Sequence, residues 1–221
     1  MLRAVGFGLG GVAYGLFLAL LIDRVLARRS IRPGAGARAS WVRAVTAVSI
    51  VGLAIGSAVD FARVYVAAMT AAFLGVLVAL AVIDARHRIL PNAIVYPSLV
   101  IFAAAVIVGA AAGQGVSARQ AIIGLGAFGL PMLVLALLSP GGMGMGDVKL
   151  AALIGLVLGS LGLRYVAVAA GVGVIGGGVA SVIALVAGRS RKSSLPFGPS
   201  LSMGAIVATF FAPAIARAYL R

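Results

Sequence analysis

Long apolar segments separated by short basic connections constrain the fold of this chain more than any other feature. The chain has 221 residues, of which 63% are hydrophobic and 10% are charged, and its mean hydropathy is +1.21. A soluble globule of this size must present a polar surface to water, and this composition does not supply one. The sequence therefore predicts an all-α fold, a polytopic membrane helical bundle.

Eight segments are apolar enough to be predicted as membrane-spanning helices, since about 20 apolar residues cross a bilayer. They cover residues 4–22, 44–59, 64–83, 93–112, 120–138, 148–163, 165–187 and 199–216. A run of arginines follows the first segment, which is therefore predicted to be a retained span and not a signal peptide. The sixth is the weakest, because it is short and little more than Arg164 separates it from the seventh. Fusion of those two would give seven spans.

The positive charges predict the orientation of the spans. With eight spans, twelve Lys and Arg residues fall on one side of the membrane and six on the other. Cytoplasmic loops carry the excess of positive charge, so the side with twelve is predicted to be cytoplasmic and both termini to be outside. Because the basic residues lie in short clusters between spans, the net charge of +14 predicts no nucleic-acid partner.

We expect residues 1–221 to form a single membrane domain. Residues 1–60 would contribute two N-terminal spans and a basic cytoplasmic loop, residues 23–43, and residues 64–221 would form the core. Pro33, Gly34 and Gly36 lie among the arginines of that loop, which predicts a flexible linker.

The acidic residues are few and informative. Only four side chains are acidic and all are aspartates; a carboxylate at membrane depth is costly. Asp84 ends the third apolar segment and Asp147 precedes the sixth, so two whole spans separate them and both are predicted to lie at the cytoplasmic face. Asp23 and Asp60 each have an arginine nearby as a ready partner.

A pair of carboxyl groups can carry out peptide hydrolysis. When they lie about 3 Å apart they cannot both ionise, so one keeps a proton while the other acts as a base. The pair can then activate water against a peptide carbonyl and protonate the leaving amine. We predict that Asp84 and Asp147 form such a pair, with no metal and no cofactor; the chain has no cysteine and one histidine. Either aspartate alone would be better explained as a helix cap or an interfacial anchor.

The residues before Asp147 predict irregular backbone. Proline and glycine break helices, and this stretch contains Pro140, Gly141, Gly142, Gly144 and Gly146. Irregular backbone at membrane depth is tolerated where it borders a water-filled cavity. We expect Gly144 and Gly146 to permit the close approach of an extended substrate.

Three motifs resemble those of the type IV prepilin peptidases, which are aspartic proteases of the cytoplasmic membrane. Asp84 with Leu90-Pro91-Asn92 is similar to the family's first catalytic aspartate and its downstream proline. Gly144-Met145-Gly146-Asp147-Val148-Lys149-Leu150 is similar to the second. Leu195-Pro196-Phe197-Gly198-Pro199 resembles the proline-flanked Phe-Gly element before the last span. The resemblance implies that Asp84 and Asp147 are catalytic and that the site is shaped by Pro91, Gly144, Gly146, Lys149, Pro196, Phe197, Gly198 and Pro199.

The resemblance also implies a substrate and a location. The substrate would be a prepilin or pseudopilin of a type IV pilus or protein secretion system, cleaved after its short basic leader at the cytoplasmic face of the cell membrane. Larger family members also methylate the new N-terminus through a cytoplasmic region that often carries paired Cys-x-x-Cys motifs. This chain has no cysteine and only a short loop at that place. We therefore expect a peptidase without N-methyltransferase activity.

Other functions fit parts of the same pattern. An ion-coupled transporter or proton relay would use Asp84 and Asp147 to carry ions, and an inactive scaffold in pilus assembly would use neither. Polar residues inside the apolar segments are few and small, which favours a protease over a transporter. Presenilin-like proteases share Gly-x-Gly-Asp but carry Pro-Ala-Leu before a late span, where this chain has Pro196-Phe197-Gly198-Pro199.

Overall fold

Helices account for all the regular secondary structure in the part of the chain that the structure describes. The structure is a computed structural model and describes residues 14–21, 23–25, 27, 64–138, 143–186 and 197–219. Residues 14–21 are helical. Six longer helices follow: α1 (Val64–His87), α2 (Asn92–Ala111), α3 (Ala118–Leu138), α4 (Met145–Leu161), α5 (Leu163–Val186) and α6 (Gly198–Tyr219).

Four of these helices are long and apolar enough to cross a membrane. They are α1, α2, α3 and the part of α5 from Leu163 to Ile183, and the shorter stretch Gly198–Ala212 of α6 is also apolar. Large apolar side chains such as Ile107, Leu137 and Ile183 are exposed on the helices, which suits contact with lipid. The all-helical class and the polytopic membrane location are thus confirmed. The first two predicted spans lie wholly or largely outside the described residues, so the count of eight stays a prediction.

The sixth and seventh predicted spans are separate helices. Helix α4 ends at Leu161 and α5 begins at Leu163. Gly162 between them has a φ of 143°, a backbone conformation that residues with a Cβ rarely adopt. The Gly162 N–H also donates to the carbonyl groups of Leu158 and Gly159, which closes the end of α4. A glycine-specific break therefore prevents the fusion that the sequence left open.

The chain divides into two compact units, Met1–Val82 and Ile83–Arg221. In the first unit, the Tyr14 hydroxyl donates to the carbonyl oxygen of Ala72 at 2.9 Å. This bond joins the helical residues 14–21 to α1, whose Phe73 and Leu77 are fully buried. Residues of α1 from Ile83 onward belong to the second unit, which also holds α2 to α6.

Helix α4 lies at the centre of the second unit. It packs against α2, α3, α5 and α6, most extensively against α3, and its side chains from Val148 to Ser160 are nearly all buried. A helix surrounded by protein does not need the length of a lipid-facing span, which explains its 17 residues. The N-terminus of α4, where Asp147 lies, is therefore held by the surrounding helices.

Glycines bring the backbones of α3 and α4 into direct contact. A Cβ added at Gly155 would meet the carbonyl group of Gly124, with the carbonyl carbon at 2.8 Å, and one added at Gly159 would come within 3.0 Å of the Gly124 Cα. Close approach through small residues is a common way for membrane helices to pack. On the neighbouring pair α5 and α6, a Cβ at Gly204 would likewise meet the backbone of Ala169 and Gly173.

We expect Gly155→Ala to destabilise the protein by about 1 to 3 kcal/mol, the range for overpacking a well-packed interior. The added methyl group would meet backbone atoms of α3, which cannot rotate away. The check is the midpoint of thermal unfolding in detergent. Gly126→Ala is the matched control on α3, because its Cβ would meet only Leu130 Cδ1 at 3.8 Å. Equal midpoints for the two variants would contradict this packing.

Candidate active site

Asp84 lies one turn before the end of α1, where the chain turns towards α2. The Arg88 N–H donates to the Asp84 carbonyl oxygen at 2.8 Å, and Arg88 then leaves the helix with a φ of 51°. Pro91 is the N-cap of the next helix, and its carbonyl oxygen accepts hydrogen bonds from the N–H groups of Ile94 and Val95. Pro91 thus fixes the start of α2 seven positions after Asp84.

The carboxyl group of Asp84 is buried and is held by the start of α6. Its residue is 5% exposed, and the Gly198 N–H donates to Oδ2 at 3.0 Å. Gly198 is the first residue of α6, so its N–H has no acceptor within the helix and needs one elsewhere. A Cβ at Gly198 would lie 2.5 Å from Asp84 Oδ2. A helix N-terminus also carries partial positive charge, so it is a favourable partner for a carboxylate.

Asp147 is held by its own helix. It is 6% exposed and its Oδ2 accepts the Gly144 N–H at 3.3 Å, while its own N–H donates to the Gly144 carbonyl oxygen at 3.0 Å. The first of these bonds is the acidic half of a capping box, and glycine cannot supply the other half. Asp147 Oδ1 is buried and has no hydrogen-bond partner among the described residues.

The sequence predicted irregular backbone through the residues before Asp147, and this prediction is wrong for Gly146. Helix α4 begins at Met145, so Gly146 lies in its first turn, and only Met143 and Gly144 are non-helical among the described residues of this stretch. The bond from Gly144 to the Asp147 carboxyl stabilises the helix start and outweighs the low helix propensity of glycine. Residues 139–142 lie outside the described part of the chain.

Gly146 makes room for a protein side chain. A Cβ at this position would lie 2.8 Å from the Cβ of Leu90 and 3.1 Å from its Cδ1. The segment between Asp84 and α2 therefore packs directly on the first turn of α4. We expected this space to serve an extended substrate, but at Gly146 the structure fills it with Leu90. The contact places the segment that follows Asp84 against the turn that contains Asp147.

Lys149 also connects α4 to α2. Its Nζ donates to Asn92 Oδ1 at 3.0 Å and lies 4.8 Å from the centroid of the Tyr96 ring, within the range of a cation–π interaction. Asn92 and Tyr96 are four positions apart on α2, so they share one face. Sequence reasoning named neither as a site residue, although this spacing after Pro91 was a usable signal.

We expect the bond between Lys149 and Asn92 to contribute about 0.5 to 1 kcal/mol to the free energy of unfolding, which is less than a hydrogen bond to a charged group usually contributes, because this one is exposed. A double-mutant cycle of Lys149→Met and Asn92→Ala, with unfolding as the readout, measures this coupling. Arg119→Met replaces Lys149→Met in the control cycle. Arg119 lies in the first turn of α3, near the end of α2 that is opposite Asn92, and is on the order of 30 Å from Asn92. A coupling no larger than in the control would show that the bond contributes nothing.

The two aspartates are close enough for their charges to interact. Asp147 stands one residue before the apolar segment 148–163. Its pKa is raised to about 7, chiefly by burial and secondly by the negative charge of Asp84, while the hydrogen bond from Gly144 opposes the rise. The negative charge of Asp84 thus acts on Asp147, while the catalytic pairing of the two carboxyl groups stays a prediction. An Asp147 carboxyl with such a pKa holds a proton part of the time near neutral pH.

The other predicted site residues are placed as follows. Phe197 directly precedes α6, and Gly198 and Pro199 form its first turn, where the missing N–H of proline costs no helical bond. Pro196 lies outside the described residues. Among the residues that the structure describes, no group of three His, Asp or Glu side chains is arranged to hold a metal ion.

The sequence of the chain is similar to the sequences of known proteins. Residues 71–216 match the sequence model of the Type IV leader peptidase family. A prepilin leader peptidase/N-methyltransferase of Bacillus subtilis (strain 168) is 28% identical to the chain over 150 residues. The match covers 67% of this chain and 58% of that protein, so the chain spans less than two thirds of the relative's length. No solved structure matches the chain.

Proposed function

Because the chain belongs to the type IV leader peptidase family, we propose that it is a membrane-embedded aspartic endopeptidase that removes the short basic leader from type IV prepilins or pseudopilins. The pair of buried aspartates carries the proposal. Asp84 and Asp147 come from different helices, are 5% and 6% exposed, and lie close enough for one charge to act on the other. Two buried carboxyl groups that share one proton are the chemical requirement of the aspartic-protease mechanism, which uses no metal.

In the proposed reaction the ionised carboxyl takes a proton from a water molecule while the water oxygen attacks the peptide carbonyl carbon. The tetrahedral intermediate then collapses, the C–N bond breaks, and the leaving nitrogen receives a proton from the pair. The backbone bonds from Gly198 to Asp84 and from Gly144 to Asp147 each occupy one carboxyl oxygen. They leave the two Oδ1 atoms for water, proton and substrate.

The remaining site residues would hold this pair in place. Gly144 and Gly198 would each hold the carboxyl group to which its N–H donates. Gly146 and Lys149 would maintain the contact between α4 and the start of α2. Pro91 and Pro199 would fix the starts of α2 and α6. Phe197 would anchor the start of α6, and Pro196 is proposed for the same element on the resemblance alone.

The proposed topology follows from the charge pattern. A single membrane domain would cross the cytoplasmic membrane of the cell eight times, with both termini outside and both aspartates at the cytoplasmic side. A prepilin leader is basic and stays in the cytoplasm ahead of an apolar helix, so its cleavage site would meet the aspartates at that face. The substrate helix would remain in the bilayer.

We further propose that these residues carry peptidase activity alone. The relative in Bacillus subtilis is named for both leader peptidase and N-methyltransferase activity. The larger members that methylate their product often use paired cysteines, and this sequence has none. Mass spectrometry of a cleaved product would separate the two activities, because a methylated N-terminus is 14 Da heavier by the mass of the added CH₂ group.

The test is cleavage of a prepilin by the purified protein in liposomes. We expect a new, unmethylated N-terminus directly after the terminal glycine of the leader. The same liposomes, loaded with a pH-sensitive dye, report any proton flux across the membrane. Proton flux without cleavage of any of several prepilins and pseudopilins would contradict the proposal and support the ion-coupled transporter or proton relay that uses Asp84 and Asp147.

A further inference from the structure

Three consecutive glycines in α5 require an explanation. Residues Gly176, Gly177 and Gly178 lie inside this helix, where each glycine costs roughly 1 kcal/mol relative to alanine. A Cβ added at Gly176 or at Gly178 would meet nothing within 4 Å. A Cβ added at Gly177 would collide with the ring of Phe197, whose Cδ1 lies 2.6 Å from that position. Among the described residues, only the middle glycine would bring a Cβ against a neighbour, and the three nearest atoms all belong to the Phe197 ring.

One methylene group joins the Phe197 ring to the Cα that precedes the peptide group holding Asp84. The carbonyl oxygen of Phe197 accepts the Leu201 N–H at 2.9 Å and so begins α6. The N–H of the same peptide group belongs to Gly198 and donates to Asp84 Oδ2 at 3.0 Å. A peptide group is planar, so this carbonyl and this N–H cannot turn independently. A change in the position of Phe197 therefore changes the direction of the donor to Asp84.

We propose that Gly177 and Phe197 are positioning residues for Asp84: the Phe197 ring, seated against the bare backbone at Gly177, fixes the peptide group that donates to the Asp84 carboxyl. The proposal rests on the peptidase function proposed above, because Asp84 is catalytic only if that function is correct. It connects α5, which supplies no residue to the aspartate pair, to the orientation of one of its two carboxyl groups.

On the α5 side, the surface against which the Phe197 ring packs is rigid. Gly177 presents backbone, and its carbonyl oxygen also accepts the Ser181 hydroxyl at 2.8 Å. A methyl group at this position cannot move into the helix, so the aromatic ring must move away. The proposal requires that this movement reach the Gly198 N–H through the Phe197 Cα and not be absorbed by rotation of the ring, so that Asp84 Oδ2 loses its donor or keeps it at poor geometry. Losing a hydrogen bond to a charged group corresponds to roughly a tenfold to hundredfold change in an equilibrium or rate.

The experiment compares three alanine substitutions in one helix. Gly177→Ala is expected to lower kcat for prepilin cleavage roughly tenfold to hundredfold, with KM within about twofold of wild type. Gly176→Ala and Gly178→Ala are the matched controls, since all three changes improve helix propensity equally and these two meet open space. We expect both controls to keep the wild-type kcat. A folded Gly177→Ala enzyme with the kcat of the controls would overturn the proposal.

A second variant tests the ring itself. Phe197→Leu leaves part of the space beside Gly177 empty, so kcat should fall in this variant as well. In the double variant the added methyl group fills space that the smaller leucine vacates, and kcat should exceed that of Gly177→Ala alone. Losses that simply multiply in the double variant would contradict a direct contact.

Hydrogen exchange of the Gly198 amide makes the test independent of activity. We expect faster exchange of the segment 197–201 in Gly177→Ala than in either control, measured by mass spectrometry in detergent micelles. If the wild-type protein cleaves no prepilin while this exchange difference is present, the proposed function fails and the positioning contact stands. Unchanged exchange in folded Gly177→Ala would overturn the positioning contact whatever the activity of the enzyme.

Discussion

Asp84→Asn and Asp147→Asn each abolish leader removal, with an expected loss of at least about a thousandfold in kcat, within the range for the loss of a general acid or base. Asparagine keeps the size of the side chain and an oxygen that accepts the backbone N–H of Gly198 or Gly144, but it cannot take up or release the proton that hydrolysis requires. The measurement is the fraction of a co-expressed prepilin that is cleaved in membranes, followed with time.

The acidic residues outside the pair provide the control. Asp23→Asn removes one of the four carboxyl groups of the chain at a position that the proposed mechanism does not use, and it should leave cleavage at the wild-type rate. If either Asp84→Asn or Asp147→Asn keeps more than a tenth of the wild-type rate, that residue is not part of the catalytic pair. Loss of activity in Asp23→Asn would show that acidity in general, and not the pair, is being measured.

The stability of the same variants distinguishes catalysis from structure. Asp147 Oδ1 is buried and has no hydrogen-bond partner among the described residues, and a buried carboxylate without full compensation costs free energy. Asp147→Asn removes the charge, so its unfolding midpoint should equal or exceed that of the wild type. An inactive protein of unchanged or higher stability is the pattern of a catalytic group held at a cost to the fold.

The helices were well predicted from sequence because a long apolar segment leaves few alternatives in a membrane. The segments predicted over residues 93–112 and 120–138 correspond to Asn92–Ala111 and Ala118–Leu138. The start of α4 was not predicted correctly, because the glycines of this stretch predicted a break in the helix, whereas Gly146 lies within the helix and leaves room for a neighbouring side chain. Leu90, 56 positions away in the sequence, fills the space that a side chain at Gly146 would occupy. A contact between residues so far apart leaves no local pattern in the sequence.

The candidate site shows the same division between local and distant information. Both aspartates were singled out because they are rare and because the predicted topology places them at one face. The donor to Asp84 was not, because Gly198 is 114 positions away in sequence. The role of Gly177 was also missed: its neighbours Gly176 and Gly178 look identical in sequence, and only the position of the Phe197 ring separates the three.

The two carboxyl groups consequently depend on different parts of the fold. Asp147 takes its backbone hydrogen bond from Gly144 in its own helix start, three residues earlier. Asp84 takes its bond from the start of α6, so its orientation depends on how α6 packs. Substitutions far along the chain should therefore disturb Asp84 more readily than Asp147.

We expect Gly198→Ala to lower kcat by about a hundredfold or more, the scale for misplacing a catalytic group by about 1 Å. The added Cβ would lie 2.5 Å from Asp84 Oδ2 and 3.0 Å from its Cγ. Asp84 is buried and its Oδ2 lies in the position that the new methyl group would need, so the carboxyl group or the start of α6 must shift. The measurement is kcat and KM for prepilin cleavage, together with the unfolding midpoint, and the loss should fall on kcat.

Gly144→Ala is the matched comparison, because Gly144 is the other glycine whose N–H donates to a carboxyl group of the proposed catalytic pair. A Cβ at Gly144 would lie 3.6 Å from Asp147 Oδ2, an ordinary van der Waals contact, and Gly144 has a φ of −82° that alanine adopts without strain. This variant should lose several-fold at most, although Gly144 belongs to the more specific sequence motif. Gly171→Ala, which meets open space in α5, should match the wild type. Equal losses at Gly198 and Gly144 would mean that both glycines are needed for backbone freedom or substrate approach, and that contact with Asp84 is not what requires a glycine at position 198.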